Sequence, residues 1–149
     1  MTLAVLDTNV WLDWLVFDDA AVAPLRAARG CGAVAFVHAA DTRAELACVL
    51  ARAAFGLDPA DVALRLGEHD RLSRLHAAPR VPCALACADR DDQKFLDLAV
   101  AARAGLLLTR DRELLGVARG AARLGLRIAR PCDLHEPCSH RPPATVRRL

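Results

Sequence analysis

Short, wholly apolar runs that stop at a polar or acidic residue and hand over to a helical pattern constrain this chain more than any other feature. Leu3-Ala-Val-Leu6 halts at Asp7-Thr-Asn9, after which Val10, Trp11, Trp14 and Leu15 recur at helical spacing. Ala33 to Val37 leads in the same way into Asp41-Thr-Arg-Ala-Glu45 and a helix whose apolar face is Leu46, Val49, Leu50 and Ala53. Leu57 to Pro59 breaks that helix, and Ala60 to Leu75 predicts another, carrying Val62, Leu64, Leu66, Leu72 and Leu75. Arg80 to Cys87 is expected as a short third strand, followed by the acidic turn Asp89-Arg-Asp-Asp92. Phe95, Leu96, Leu98, Ala99 and Ala102 then form a helical face ending near Gly105, and Leu106-Leu-Leu108 reads as a buried strand. That strand stops at Thr109-Arg-Asp111, before a helix from about Arg112 to Arg119 and a last strand from Leu126 to Ala129.

Strands that are short and fully apolar, alternating with helices, indicate an α/β fold with a parallel sheet of about five strands covered by helices on both faces. With 149 residues, 54% of them hydrophobic, the chain supports one such domain and not two. We place it at residues 1–134, with 135–149 as a Pro- and Arg-containing tail whose loose composition begins at Pro131. Every apolar run is interrupted well before the roughly 18 to 20 residues of a membrane span, and Asp7 and Asp13 interrupt the first one, so the expectation is a cytoplasmic protein with no membrane partner. A net charge of +2 is too small to predict nucleic-acid binding by field strength. Without a secretion signal, and with apolar residues enough for a core, Cys31, Cys48, Cys83 and Cys87 are expected to be reduced.

In a right-handed parallel sheet, the strand C-termini and the following helix N-termini share one edge, and ligands bind there. Asp7 ends the first expected strand, Glu45 lies in the first turn after the second, Asp92 opens the helix after the third, and Asp111 follows the fourth. Each has an ordinary explanation as a helix cap, with Thr42 and Glu45 forming a T-x-x-E capping box. Four carboxylates on one edge nevertheless repel one another unless a cation neutralises them, and a hard cation such as Mg²⁺, or Mn²⁺ in its place, suits oxygen donors. Asp92 shares the core-facing side of its helix with Phe95 and Ala99, whereas Asp97 faces elsewhere; Asp91 is its close competitor, and Asp13, Asp18 and Asp19 read as solvated.

The run Leu3 to Val10, Glu45 on the second helix, Asp91-Asp-Gln-Lys-Phe-Leu-Asp-Leu-Ala99 and Gly105-Leu-Leu-Leu-Thr-Arg-Asp-Arg-Glu-Leu-Leu115 together resemble the PIN-domain nucleases. The segment from Cys87 to Pro131 is similar to the subfamily of bacterial toxin-antitoxin toxins. That resemblance spans about residues 3 to 134 and implies a single PIN-like domain cleaving single-stranded RNA by a metal-activated water, with no protein nucleophile. It implies Asp7, Glu45, Asp92 and Asp111 as catalytic metal ligands, Asn9 and Thr109 as polar support, a cognate antitoxin protein and a homodimer. Two alternatives stay open at this level: a catalytically weak PIN-like binding module, and a haloacid-dehalogenase-like phosphatase, which requires an Asp where this chain has Asn9.

Other signals are weaker. Cys132, His135, Cys138 and His140 have the composition of a zinc site but not a common spacing. Arg43, Arg52, Arg90, Lys94, Arg110 and Arg112 flank the acidic motifs and are candidates to hold RNA phosphates. Trp11 and Trp14 read as core or as a dimer face rather than as stacking platforms.

Overall fold

A computed structural model describes residues 1–134. Five parallel strands form one sheet in the order β3-β2-β1-β4-β5, with β1 at Thr2–Leu6, β2 at Val34–His38, β3 at Ser73–Leu75, β4 at Leu106–Leu108 and β5 at Arg127–Ala129. Helices α1 (Thr8–Leu15), α2 (Ala23–Gly30), α3 (Ala40–Leu50) and α4 (Pro59–Leu72) precede the crossing to α5 (Gln93–Ala101), α6 (Arg112–Leu115) and α7 (Ala118–Ala122).

The strands divide their side chains by the two-residue period of the pleat. Ala4, Leu6, Val34, Phe36, Leu106 and Leu108 join the core beneath α1 to α4. Val5, Val37, Leu107 and Ile128 join the core beneath α5 to α7, with Phe95, Leu98 and Leu114. Both faces are therefore covered, which is why these strands are apolar throughout instead of alternating. Phe36, Leu50, Phe95 and Leu107 are each no more than 1% exposed, and burying a side chain of that size contributes about 2 kcal/mol. Trp11 and Trp14 belong to this core, both edge-on to Phe36 at 5.5 Å.

The third strand is not where the sequence pattern places it. Arg80 to Cys87 forms no strand; its backbone is held by side chains of α5 instead. The Cys83 N–H donates to Asp97 at 3.0 Å, the Cys87 N–H to Gln93 at 2.7 Å, and the Gln93 amide donates to the Leu85 carbonyl at 2.8 Å. Pro82 could not have donated to a ladder in any case. The actual β3 is three residues long and pairs only with β2, so it is an edge whose Leu75 is exposed. Leu72 and Leu75 fit a helical spacing, and three residues are too few to display a period of two.

Other boundaries shift for local reasons. The helix expected from Arg112 to Arg119 breaks into α6 and α7 around Gly116, a poor helix former. Arg103 and not a glycine takes the left-handed position after α5, with φ 53°. The Ala104 N–H reaches the Ala99 carbonyl and the Arg103 N–H the Val100 carbonyl, closing the helix as a Schellman motif. Gly105 is needed for close approach: a Cβ there would lie 2.7 Å from Thr2 Cγ2. Pro131 and Leu134 are buried, so the segment from Pro131 to Leu134 packs on the domain and is not part of a loose tail. The tail at 135–149, and with it His135, Cys138 and His140, lies outside the described residues. Cys31 is disulfide-bonded, against the expectation of a reduced thiol, while Cys48, Cys83 and Cys87 are free. Among the described residues only Cys31 is bridged, which requires none of the disulfide framework that the composition argues against. No helix among the described residues is long and apolar enough to cross a membrane.

Candidate active site

The chain runs outward from β1 through β2 to β3, then returns to lay β4 on the other side of β1. The direction of winding changes between β1 and β4, and in sheets of this kind the ligand crevice lies there, beyond the strand C-termini. Asp7 follows β1 at one wall of it and Thr109, Arg110 and Asp111 follow β4 at the other.

Asp7 is 4% exposed and caps α1: its Oδ1 accepts the Thr8 N–H at 2.7 Å, while its Oδ2 accepts the Thr109 hydroxyl at 2.6 Å. Thr109, fully buried, also accepts the Asp111 N–H at 2.9 Å, so one hydroxyl sets both acids. Asp111 in turn caps α6 by accepting the Glu113 N–H at 2.7 Å. For these two residues, cap and site are the same side chain. Glu45 sits in the second turn of α3 and not the first. The Thr8 hydroxyl donates to its Oε2, and the Lys94 ammonium lies 2.8 Å from its Oε1. The expected T-x-x-E box is therefore absent, and Thr42 instead accepts the Ala39 N–H at 3.0 Å.

Asp92 precedes α5 but makes no side-chain cap bond, and its buried Oδ2 has no hydrogen-bond partner. Burial, followed by the charges of Asp7, Asp111 and Asp89, pushes its carboxyl up to about 7. Asp7 is raised for the same reason, by burial first, with the charges of Glu45 and Asp111 adding to it against its hydrogen bonds from Thr109 and Thr8. The structure thus brings Asp7, Asp92 and Asp111 into mutual electrostatic reach, with Glu45 joined to Asp7 through Thr8. Asp91 is exposed, and its N–H donates to Asp89 at 2.9 Å. The Asn9 side chain makes no hydrogen bond to an acid among the described residues; its Oδ1 accepts the Arg110 N–H at 3.4 Å, in the turn that carries Asp111.

Asp13 overturns its reading as a solvated residue. It is 3% exposed and pairs with Arg110 at 2.8 Å, tying α1 to the turn that carries Asp111. Its four-residue offset from Asn9 on α1 was the available signal, since that places both on the side facing the crevice. Of the six flanking cations, Arg43, Lys94 and Arg110 are committed to Asp70, Glu45 and Asp13. Arg90 and Arg112, beside Asp92 and Asp111 in the chain, are exposed and make no ion pair among the described residues.

A family model for the PIN domain matches residues 3–113, from the first strand past the last of these acids. The chain belongs to the PIN domain family. PIN domains are in general divalent-metal-dependent nucleases, so the fold is that of a metal-dependent phosphodiester hydrolase, and the phosphatase alternative is set aside. No curated protein matches the chain. The carboxylate set fits a divalent metal on the structure's own terms: like charges raise one another, and a buried carboxylate oxygen at Asp92 has no protein donor to serve it.

Proposed function

We propose that this PIN domain is an endoribonuclease acting on single-stranded RNA, with Asp7, Glu45, Asp92 and Asp111 holding Mg²⁺ or Mn²⁺. The observation that carries the reading is Asp92, whose carboxyl is pushed to about 7 and whose inner oxygen is unpartnered beside Asp7 and Asp111. A divalent ion supplies charge neutralisation and an acidified water at such a site. The chain's own groups do the rest. Thr109 aims Asp7 and positions the Asp111 backbone together, and the Asp13–Arg110 pair fixes the turn between them. Arg90 and Arg112 are free to hold phosphates on either side of the scissile bond, and Lys94 can exchange Glu45 for a phosphate once metal occupies the acid.

The similarity of Cys87 to Pro131 to toxins of toxin-antitoxin pairs extends the proposal to a toxin held in check by an antitoxin that covers the acidic edge, working as a homodimer in the cytoplasm. The test is cleavage of a labelled single-stranded RNA with Mg²⁺ or Mn²⁺. Cleavage by wild type, lost with EDTA and in Asp7→Asn, supports the reading; a folded, metal-loaded wild type that cuts no RNA of varied sequence rejects it in favour of a binding module.

A further inference from the structure

Away from the acidic crevice, one group of three metal-ligating side chains among the described residues has donor atoms all within 4.8 Å of one another: His38, His69 and Asp70. His38 ends β2 and His69 lies in the last turn of α4. Their rings are 4.5 Å apart between centroids, and the residues are 6% and 1% exposed.

Hydrogen-bond partners assign the proton on each ring. The Ser73 hydroxyl donates its only proton to the His69 carbonyl at 2.8 Å, so in its 2.7 Å contact with His38 Nδ1 it must accept. Neutral His38 therefore carries its proton on Nδ1 and a lone pair on Nε2. Asp70 is kept ionised by two 2.8 Å bonds from Arg43, whose guanidinium holds it far below the usual carboxylate range. An ionised carboxylate only accepts, so the 3.0 Å contact is a donation from His69 Nδ1, which again leaves the lone pair on Nε2. The hydrogen bonds that the two rings make among the described residues run through Nδ1. Burial keeps both rings neutral, His38 down to about 4.

Two adjacent buried imidazoles, each oriented through Nδ1–H by a hydroxyl or carboxylate and each keeping an Nε2 lone pair, share the outer hydrogen bonding of metal-ligating histidines. A cleft of about 460 Å³ lined by His38, Arg43, Asp70 and Ser73 reaches the His38 side of the cluster. We propose that His38 and His69 bind one imidazole-preferring divalent cation of the Zn²⁺ class, with Asp70 orienting His69 and supplying negative charge. The site is separate from the acidic crevice in position and in donor chemistry, since carboxylates favour Mg²⁺ and Mn²⁺ while imidazole favours Zn²⁺. It joins β2 to α4 and, through Arg43, to α3 two residues before Glu45, so its role is to brace that wall of the crevice.

The test uses the full chain with Asp7→Asn and Asp111→Asn, which silences the acidic crevice whether or not the nuclease reading holds. Calorimetry with Zn²⁺ and absorption with Co²⁺ should show one equivalent bound, weakened at least about tenfold by His38→Gln or His69→Gln and in a similar range by Asp70→Asn. Because replacing a buried histidine risks misfolding, ¹⁵N imidazole resonances of the otherwise unaltered chain provide a second readout: Zn²⁺ should shift Nε2 of both residues and leave both Nδ1 protonated. No binding in the silenced background, unchanged affinity in the histidine variants, or unmoved Nε2 resonances would overturn the proposal.

Discussion

Two clusters of titratable side chains sit at the C-terminal edge of the same sheet and solve opposite problems. In the crevice between β1 and β4, burial first and then the charges of neighbouring carboxylates raise the proton affinity of Asp7 and Asp92, with Asp111 among those charges. Beside β2, each charge has a partner: Asp70 is clamped by Arg43, and burial holds His38 and His69 neutral. The first cluster carries uncompensated charge, and the second carries imidazole lone pairs without net repulsion. An electrostatic misfit therefore points to a hard ion that must bring charge, while an imidazole nitrogen points to an ion chosen for its bonding.

The sharpest way to break this contrast is to remove one acid. Asp92→Asn should lower cleavage at least about a hundredfold, by analogy with the losses that follow disruption of metal shells, yet leave the metal-free fold as stable as before or more so, because it relieves repulsion. Paired activity assays and thermal melts decide it; a large loss of stability would mean that the carboxylate is structural. Next in size is the brace on the crevice. Arg110→Ala leaves Asp13 buried and unpaired and should cost on the order of 2 kcal/mol, discounted for the exposed guanidinium, as read by urea denaturation with an unchanged slope.

Stability against pH sharpens the comparison, because the two clusters should tilt it in opposite directions. Asp92 has its folded value raised from 3.8 to about 7, so it binds a proton more tightly when folded, and stability falls as pH rises through that interval. His38 has its folded value lowered from 6.5 to about 4, so stability is full above 6.5 and is lost as pH falls toward 4. Across the shared interval from about 4 to 6.5 the two slopes oppose and nearly cancel in the metal-free protein. Asp92→Asn should uncover a rise of stability with pH over that interval and His38→Gln a fall; slopes unchanged by the matching substitution would refute the assignment. The smallest effect expected is that of Asp91→Asn. It should alter stability by no more than about 0.5 kcal/mol and leave cleavage near wild type, against the collapse in Asp92→Asn.

How much was legible in advance depended on the length of each signal. The runs at β1, β2 and β4 are long or apolar enough to mark buried strands, and Asp7, Glu45 and Asp111 follow from where those strands end, whereas Asp92 rests on the acidic turn that opens α5 and not on the strand expected before it. The third strand was misplaced because Ser73 to Leu75 gains its identity only from pairing with β2, while Arg80 to Cys87 imitates a strand and is held by Gln93 and Asp97. Asp13 was misread because its partner, Arg110, is 97 residues away, and the histidine pair was not singled out because each ring looks ordinary in its own segment.

By itself, then, the sequence determined a parallel α/β domain and the edge on which its acids gather, because apolar periodicity and strand-to-helix turns are local. The tertiary structure alone decided which carboxylates crowd and which are neutralised, that one threonine serves Asp7 and Asp111 together, and that His38 and His69 meet. Those outcomes depend on distances between residues far apart in the chain, and desolvation and Coulomb energy are set by such distances.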